Sequence, residues 1–405
     1  MRVLIVNCVY GQGSTGKLIQ CLHRGLLSKG VESYVVYGRG NAPDDKNIFK
    51  LAPEVLMQVQ AIGSKLSGLV YGCSPFSTHR LKYIIRKIKP DVINLHCINA
   101  NTINVVETIE FLKRYQVPTV VTMHAEFLYT GGCGHALECK KWLIECKKCP
   151  QFKTKESQLP VSWLFDRCSK YWTGLKSAYS NFQRLRITCV SPWVKSRVVQ
   201  SSFFDTGKIS VINNGVNINI FRPSSVAILA AKHGVESDTD VFLHVTPDFN
   251  SPLKGGKYVV EFAKRLNLEF PSARVIIVGK SIRSDDYPDN MIFVPHTTNA
   301  AELASYYSLA KATILTSERE TFSMVTAESL CCGTPVVGFE AGGPESICTE
   351  GHVLFSKFGD IDMLYNNAIA IKKEKGIADK YMQIFSDENM VEGYYNIYKD
   401  LLYRR

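Results

Sequence analysis

Ten short runs rich in Val, Ile, Leu and Thr recur along the chain, at 2–7, 33–37, 92–96, 118–123 and 187–190, then at 241–246, 274–278, 291–294, 312–316 and 335–338. Stretches with helical spacing separate them. Near-continuous apolar runs belong to strands buried on both faces, and strands alternating with helices are wired as parallel sheets with helices on either side. Two α/β units are therefore expected, with 213–223 as the hinge between them and the closing segment from about Asp379 helical. Length agrees with this division: 405 residues suit two units of about 200 each, both large enough for a core.

The segment Glu320 to Cys332 carries the chemistry. The run Ala312–Ser317 predicts a buried strand, so Glu320 falls in the loop at its carboxyl end, where open α/β sheets bind ligands. From about Ser323 the spacing predicts a helix up to Gly333. The N–H groups of Phe322, Ser323, Met324 and Val325 then lie at its positive end, which attracts phosphate. Glu328 sits about one turn inside and can accept from ribose hydroxyls, while Glu320 can meet a sugar. An anion-binding helix end with ribose and sugar acceptors describes a nucleotide-sugar site.

The two glutamates, eight apart, resemble the E-x7-E signature of retaining, family-4-type glycosyltransferases. Val211-Ile-Asn-Asn-Gly-Val through Pro223, Lys254-Gly-Gly256 and Val275-Ile-Ile-Val-Gly279 resemble further segments of that family, in the family's order. The resemblance implies the GT-B fold, two Rossmann-like domains with parallel sheets facing across a cleft. It implies an acceptor domain over 1–212, a hinge over 213–223, a nucleotide-sugar donor domain over 224–383, and a tail over 384–405 that packs back on the first domain. It also implies hexosyl transfer from a UDP- or GDP-sugar without a catalytic metal. Lys254 and the helix end would stabilise the departing diphosphate while Glu320 orients the sugar. The family usually supplies a second cation before the lysine; none precedes Lys254 here, which leaves Lys280 and Arg283 as candidates. His124, closing the run Thr119–Met123, matches a family histidine that contacts the sugar, whereas Glu126 departs from the family's pattern.

The loop Gly11-Gln-Gly-Ser-Thr-Gly-Lys17 matches a dinucleotide fingerprint and most of a P-loop, each imperfectly. Leu18 stands where a P-loop needs a hydroxyl, and no carboxylate follows the second strand. It resembles the corresponding loop of capsular-polysaccharide members of the family, in which Gly13 lets backbone approach the ligand. Two other readings stay open at this stage: an NADP- or ATP-dependent enzyme built on this loop, and a non-catalytic carbohydrate-binding relative.

Cys133, Cys139, Cys146 and Cys149 fall within 17 residues and end in C-x2-C, a spacing that suggests structural zinc, with unliganded thiols as the alternative. Charge is unevenly spread. Residues 1–212 hold 29 Lys and Arg against 13 Asp and Glu, a net +16, while 213–405 hold 19 against 24, a net −5. The basic stretches Arg80–Lys89 and Trp163–Arg197 carry aromatic residues and suit an anionic membrane surface. The family resemblance implies a lipid-linked glycan acceptor at the inner face of the cell membrane, and the basic first half is the part expected to meet it. No zinc-finger, RNP or helix-turn-helix signature points to nucleic acid. No apolar run approaches the ~18 residues of a membrane span, and no signal peptide is evident, so a cytoplasmic location is the expectation.

Overall fold

The computed structural model describes residues 1–403 apart from 155, 156, 161, 282, 283, 349 and 350. The chain divides into two compact units, Met1–Asn213 with Met390–Arg405, and Asn214–Asn389. The first holds strands β1 (Arg2–Val9), β2 (Glu32–Arg39), β3 (Ile48–Lys50), β4 (Val92–Leu95), β5 (Thr119–Met123), β6 (Leu185–Cys189) and β7 (Ile209–Val211). They form one parallel sheet in the order β3-β2-β1-β4-β5-β6-β7. The second unit holds β8 (Val241–Asp248), β9 (Arg274–Lys280), β10 (Met291–Val294), β11 (Ala312–Leu315), β12 (Val336–Phe339) and β13 (Val353–Ser356). Their order is β10-β9-β8-β11-β12-β13, again all parallel. In each sheet the winding reverses once, between β1 and β4 and between β8 and β11, and that reversal opens a crevice at the strands' carboxyl ends.

Burial explains why these runs are strands. In β4, β5, β11 and β12 every residue is buried, as expected where helices cover both faces. The helix Gly13–Ser28 lays Leu18, Ile19, Leu22 and Leu26 on Val3, Ile5 and Val35. The helix Asp387–Tyr403 adds Val391, Tyr394, Tyr398 and Leu401 to the same core. The Asn94 amide donates to the Tyr398 hydroxyl at 2.7 Å, and the Tyr394 hydroxyl to Thr122 at 3.3 Å. A Cβ on Gly25 would lie 2.6 Å from Val391, so only glycine lets the first and last helices approach this closely.

Three edge strands, β3, β7 and β13, escape the sequence pattern because each is only three or four residues long and partly exposed. The closing segment is two helices, Ile377–Phe385 and Asp387–Tyr403, rather than one. Ser386 breaks them with ψ 142°, and the backbone there bonds to Val216 on both sides, at 2.7 Å from Val216 N to Phe385 O and 3.1 Å from Asp387 N to Val216 O.

Candidate functional site

The crevice of the second sheet gathers the residues that the signature singles out. After β8 the chain makes a 3-10 turn, Pro252–Lys254, and reverses at Gly255, whose φ is +65°. A Cβ on Gly255 would stand 2.2 Å from the Thr316 carbonyl oxygen, so the turn sits directly on the end of β11. The Thr316 hydroxyl donates to the Lys254 carbonyl at 2.8 Å. Lys254 is thereby carried from one side of the reversal to the other, where its ammonium meets Glu320 Oε1 at 2.6 Å, with both side chains about three-quarters buried.

Glu320 is held as firmly by its backbone. Its N–H donates to the Ala341 carbonyl at 3.0 Å, and its carbonyl accepts from Gly343 N at 2.8 Å. A Cβ on Gly343 would fall 2.4 Å from the Thr321 carbonyl carbon and 2.5 Å from Phe322 N. The Glu345 carboxylate accepts from the N–H groups of Ala341 and Gly342, at 3.2 and 2.5 Å, and fixes the same loop. Glycine-rich geometry after β12 is thus what positions a carboxylate placed after β11.

The helix opens at Met324, one residue later than expected, and runs to Cys331. Ser323 caps it with φ +75°, a left-handed conformation costly for a residue with a Cβ and typical of ligand-binding turns. Its hydroxyl accepts from Thr326 N at 3.2 Å. That leaves Met324 and Val325 in the first turn ahead of the capped N–H. Phe322 is buried, with its ring 5.8 Å from Phe385. Glu328 lies one turn in, and its Oε2 accepts from the Tyr307 hydroxyl at 3.2 Å. Burial and the Glu328 charge both drive the Tyr307 phenol well above its ordinary pKa. Lys280 ends β9 with an exposed side chain; Arg283 lies outside the described residues.

One further group appears beneath this site. His244 in β8 is buried, donates from Nδ1 to the Ile314 carbonyl at 2.9 Å, and has no partner at Nε2 among the described residues. Burial lowers its pKa to about 4, so the ring is neutral.

In the first unit, Gly13 opens the helix after β1 with φ +62°, and a Cβ there would meet nothing within 4 Å. Gly11 N donates to the Gly16 carbonyl at 2.9 Å, closing the loop on itself. His124 follows β5 and pairs with His96, which follows β4, at 2.9 Å between Nε2 and Nδ1. Burial lowers the His124 pKa to about 4, and burial with the His124 charge takes His96 well below its ordinary value. His96 passed unnoticed in the sequence although it ends a strand as His124 does. Glu126 is fully buried in a structural network: it accepts from Arg197 at 2.5 Å, Tyr129 at 2.8 Å and Ala136 N at 2.7 Å. The Arg197 guanidinium in turn stacks on Trp142 and Trp193, 4.7 and 5.0 Å from their ring centres.

Cys133, Cys139, Cys146 and Cys149 converge on one cavity of about 20 Å³, and Cys168, outside the C-x2-C spacing, joins them. Among the described residues no three His, Cys, Asp or Glu side chains are set to hold a metal ion. The thiols are engaged with their surroundings. Cys146 accepts from Gly131 N at 3.1 Å and is pushed up to about 12 by burial. Burial also raises Cys133 well above its ordinary value, whereas the hydrogen bond from the Cys168 thiol draws Cys149 down to about 7. As arranged, the loop is a cavity lined by five thiols.

Two parallel sheets, each with its crevice at a single reversal and the second holding a lysine–glutamate pair ahead of the N-terminus of the helix Met324–Cys331, define the GT-B class. Glycosyltransferase Family 4 matches residues 15–220, and the Glycosyl transferases group 1 model matches 228–389. The chain belongs to glycosyltransferase family 4. A D-inositol 3-phosphate glycosyltransferase of Acidothermus cellulolyticus is 28% identical over 240 residues, 53% of each chain. An N-acetyl-alpha-D-glucosaminyl L-malate synthase of Bacillus anthracis is 22% identical over 212 residues, 48% of this chain and 54% of its own. A D-inositol 3-phosphate glycosyltransferase of Streptosporangium roseum matches over 37% of its length, so the chain spans roughly a third to a half of these curated relatives. Among solved structures, the sucrose-phosphate synthase of Thermosynechococcus elongatus superposes with a TM-score of 0.69 over 99% of both chains at 17% identity. Anabaena HepE in complex with UDP-glucose gives 0.64 over 98% and 99% at 16%. Both likenesses concern the fold.

Proposed function

We propose that the protein transfers a hexose from a nucleoside-diphosphate sugar to a growing glycan, with retention of anomeric configuration. The observation that carries this reading is the Lys254–Glu320 contact across the reversal of the second sheet, 2.6 Å long and just ahead of the helix Met324–Cys331. A diphosphate seated at that helix end draws on the Lys254 ammonium, which is matched to the charge that develops as the sugar–oxygen bond breaks. Glu328 accepts from the ribose hydroxyls and Glu320 from the sugar. The acceptor hydroxyl attacks the anomeric carbon from the face that the diphosphate leaves, and its proton passes to the departing phosphate oxygen. Family membership supports this front-face route; a carboxylate nucleophile is not needed for it. Gly13 and His124, in the first unit, serve the sugar and the acceptor.

A uridine or guanosine diphosphate sugar is the donor class, and the UDP-glucose complex of Anabaena HepE lends weight to uridine. The acceptor we favour is a lipid-linked polysaccharide precursor, since the +16 charge of residues 1–212 suits a lipid diphosphate. Thermal melting with UDP, GDP, ADP, CMP, NADP and ATP tests the donor: a ligand at 100 times its dissociation constant adds ~2.7 kcal/mol. UDP or GDP should raise the melting temperature; a response to NADP or ATP alone would overturn the reading.

A further inference from the structure

The helix Glu54–Ser67 is turned the wrong way out for a protein in water. Its buried face carries Met57, Gln60 and Ser64. Its outer face carries Val55, Val59, Ile62 and Leu66, which are 72, 57, 47 and 47% exposed. The spacing i, i+4, i+7, i+11 puts these four branched side chains on one stripe. Gln60 is drawn inward by the helix Pro75–Ile88, donating to the Ser77 hydroxyl at 2.8 Å. The inversion is therefore built into the packing.

A second segment extends the stripe. Trp163, Leu164 and Phe165 are about half exposed and are tied to the helix's last turn: Trp163 N donates to the Lys65 carbonyl at 2.9 Å, and the Lys65 ammonium lies 5.8 Å from the Trp163 ring centre. A Cβ on Gly68 would meet the Phe165 carbonyl oxygen at 2.4 Å. On the neighbouring helix, Phe76 and Tyr83 point outward beside Arg80, Arg86 and Lys87. The charge has one sign. Between residues 55 and 90 the sequence contains no Asp or Glu, and Glu54 is taken up by Arg39 at 2.7 Å.

From this geometry we infer that the stripe Val55–Leu66, the loop Trp163–Phe165 and the cationic rim of the helix Pro75–Ile88 form a docking face for an anionic lipid bilayer, on which the helix Glu54–Ser67 lies flat. Aliphatic side chains enter the acyl boundary, aromatic rings take the headgroup level, and Lys and Arg meet lipid phosphates. A second copy is the weaker occupant, because a two-fold contact would set this predominantly basic face against itself. The inference does not depend on the transfer reaction. It also relocates the sequence expectation: from Cys168 to Tyr179 the basic-aromatic stretch is a helix with Tyr171, Trp172 and Leu175 in the core, and Lys82 is engaged by Glu107 at 2.5 Å.

Flotation of the full chain with vesicles of equal parts phosphatidylcholine and phosphatidylglycerol tests it. The parent should float with these vesicles and far less with phosphatidylcholine alone. Ile62→Asp and the pair Trp163→Ala/Leu164→Ala should each weaken binding roughly tenfold or more, with melting temperature and nucleotide-induced stabilisation unchanged because every altered side chain is exposed. Trp163 fluorescence should shift to the blue on adding the anionic vesicles, and Trp163→Phe should lose that shift. Failure of the parent to float, or equal flotation of Ile62→Asp, overturns the inference. Concentration-dependent dimerisation abolished by Ile62→Asp, without lipid binding, assigns the face to a second copy and overturns it as well. Loss of UDP or GDP stabilisation in the parent would instead count against the donor reading alone.

Discussion

Acid should weaken both compact units through buried histidines. His124 in the first and His244 in the second have folded pKa values of about 4, both lowered by burial from 6.5. In the unfolded chain each ring titrates near its ordinary value, so between pH 6.5 and 4 the unfolded state binds more protons and stability falls as pH falls. Above pH 6.5 the penalty is absent; below pH 4 it is complete, at about 3 kcal/mol per ring for a shift of this size. At pH 5 each ring costs about 2 kcal/mol, a sizeable part of the 5–15 kcal/mol typical of a folded protein. His96, lowered in the same direction by burial and by His124, steepens the loss in the first unit. Native-state hydrogen exchange at pH 7.5, 6 and 5, read separately for amides of β5 and of β8, measures the two units apart. His124→Gln should flatten the pH dependence of the first unit by about 2 kcal/mol between pH 7.5 and 5 and leave the second unchanged, with His244→Gln doing the converse. Parallel pH profiles for parent and variants would show that burial does not hold these rings neutral.

Three further outcomes are expected. Glu328→Gln should weaken binding of the stabilising nucleoside diphosphate by ~1.5–3 kcal/mol in calorimetry while still accepting from Tyr307; unchanged affinity would remove Glu328 from the site. Lys254→Ala should lower kcat more than it lowers nucleotide affinity, because its charge counts most as phosphate leaves; equal turnover in the two proteins would refute that role. Cys149, held near pH 7 by the Cys168 thiol, should be the fastest thiol of its loop to react with iodoacetamide at neutral pH, and Cys168→Ala should slow it; mass spectrometry of the alkylated peptides reads both.

What could be read from the sequence follows the physics of each element. Central strands such as Thr119–Met123 declare themselves because burial on two faces demands an unbroken apolar run. Edge strands such as Ile48–Lys50 are half exposed and carry no such demand. Glu320 and Lys254 were legible from their motifs, but the contact between them was not, since it depends on Gly255 and Gly343 closing two turns distant in the chain. Glu345 was invisible for the same reason. Cys168 falls outside any recognised spacing and joins its partners only through the fold. The stripe Val55–Leu66 has a clear helical period, yet period does not tell inside from outside; with Met57 on the opposite face the helix reads as ordinary core.

The second unit is contiguous, whereas the first is assembled from both ends of the sequence, with Met390–Arg405 completing the core begun by Met1–Ser28. During synthesis this reverses the usual order in which the N-terminal unit finishes first. Residues 214–389 hold every strand of their sheet once they emerge, while β1, β4 and β5 wait for Tyr394 and Tyr398. Until then Val391's seat on Gly25 and the Asn94 amide that donates to Tyr398 stay open to water. Nascent chains stalled just short of Met390 should therefore show a protease-resistant second unit beside a first unit that is still cleaved, and release of the last turns of helix should close it.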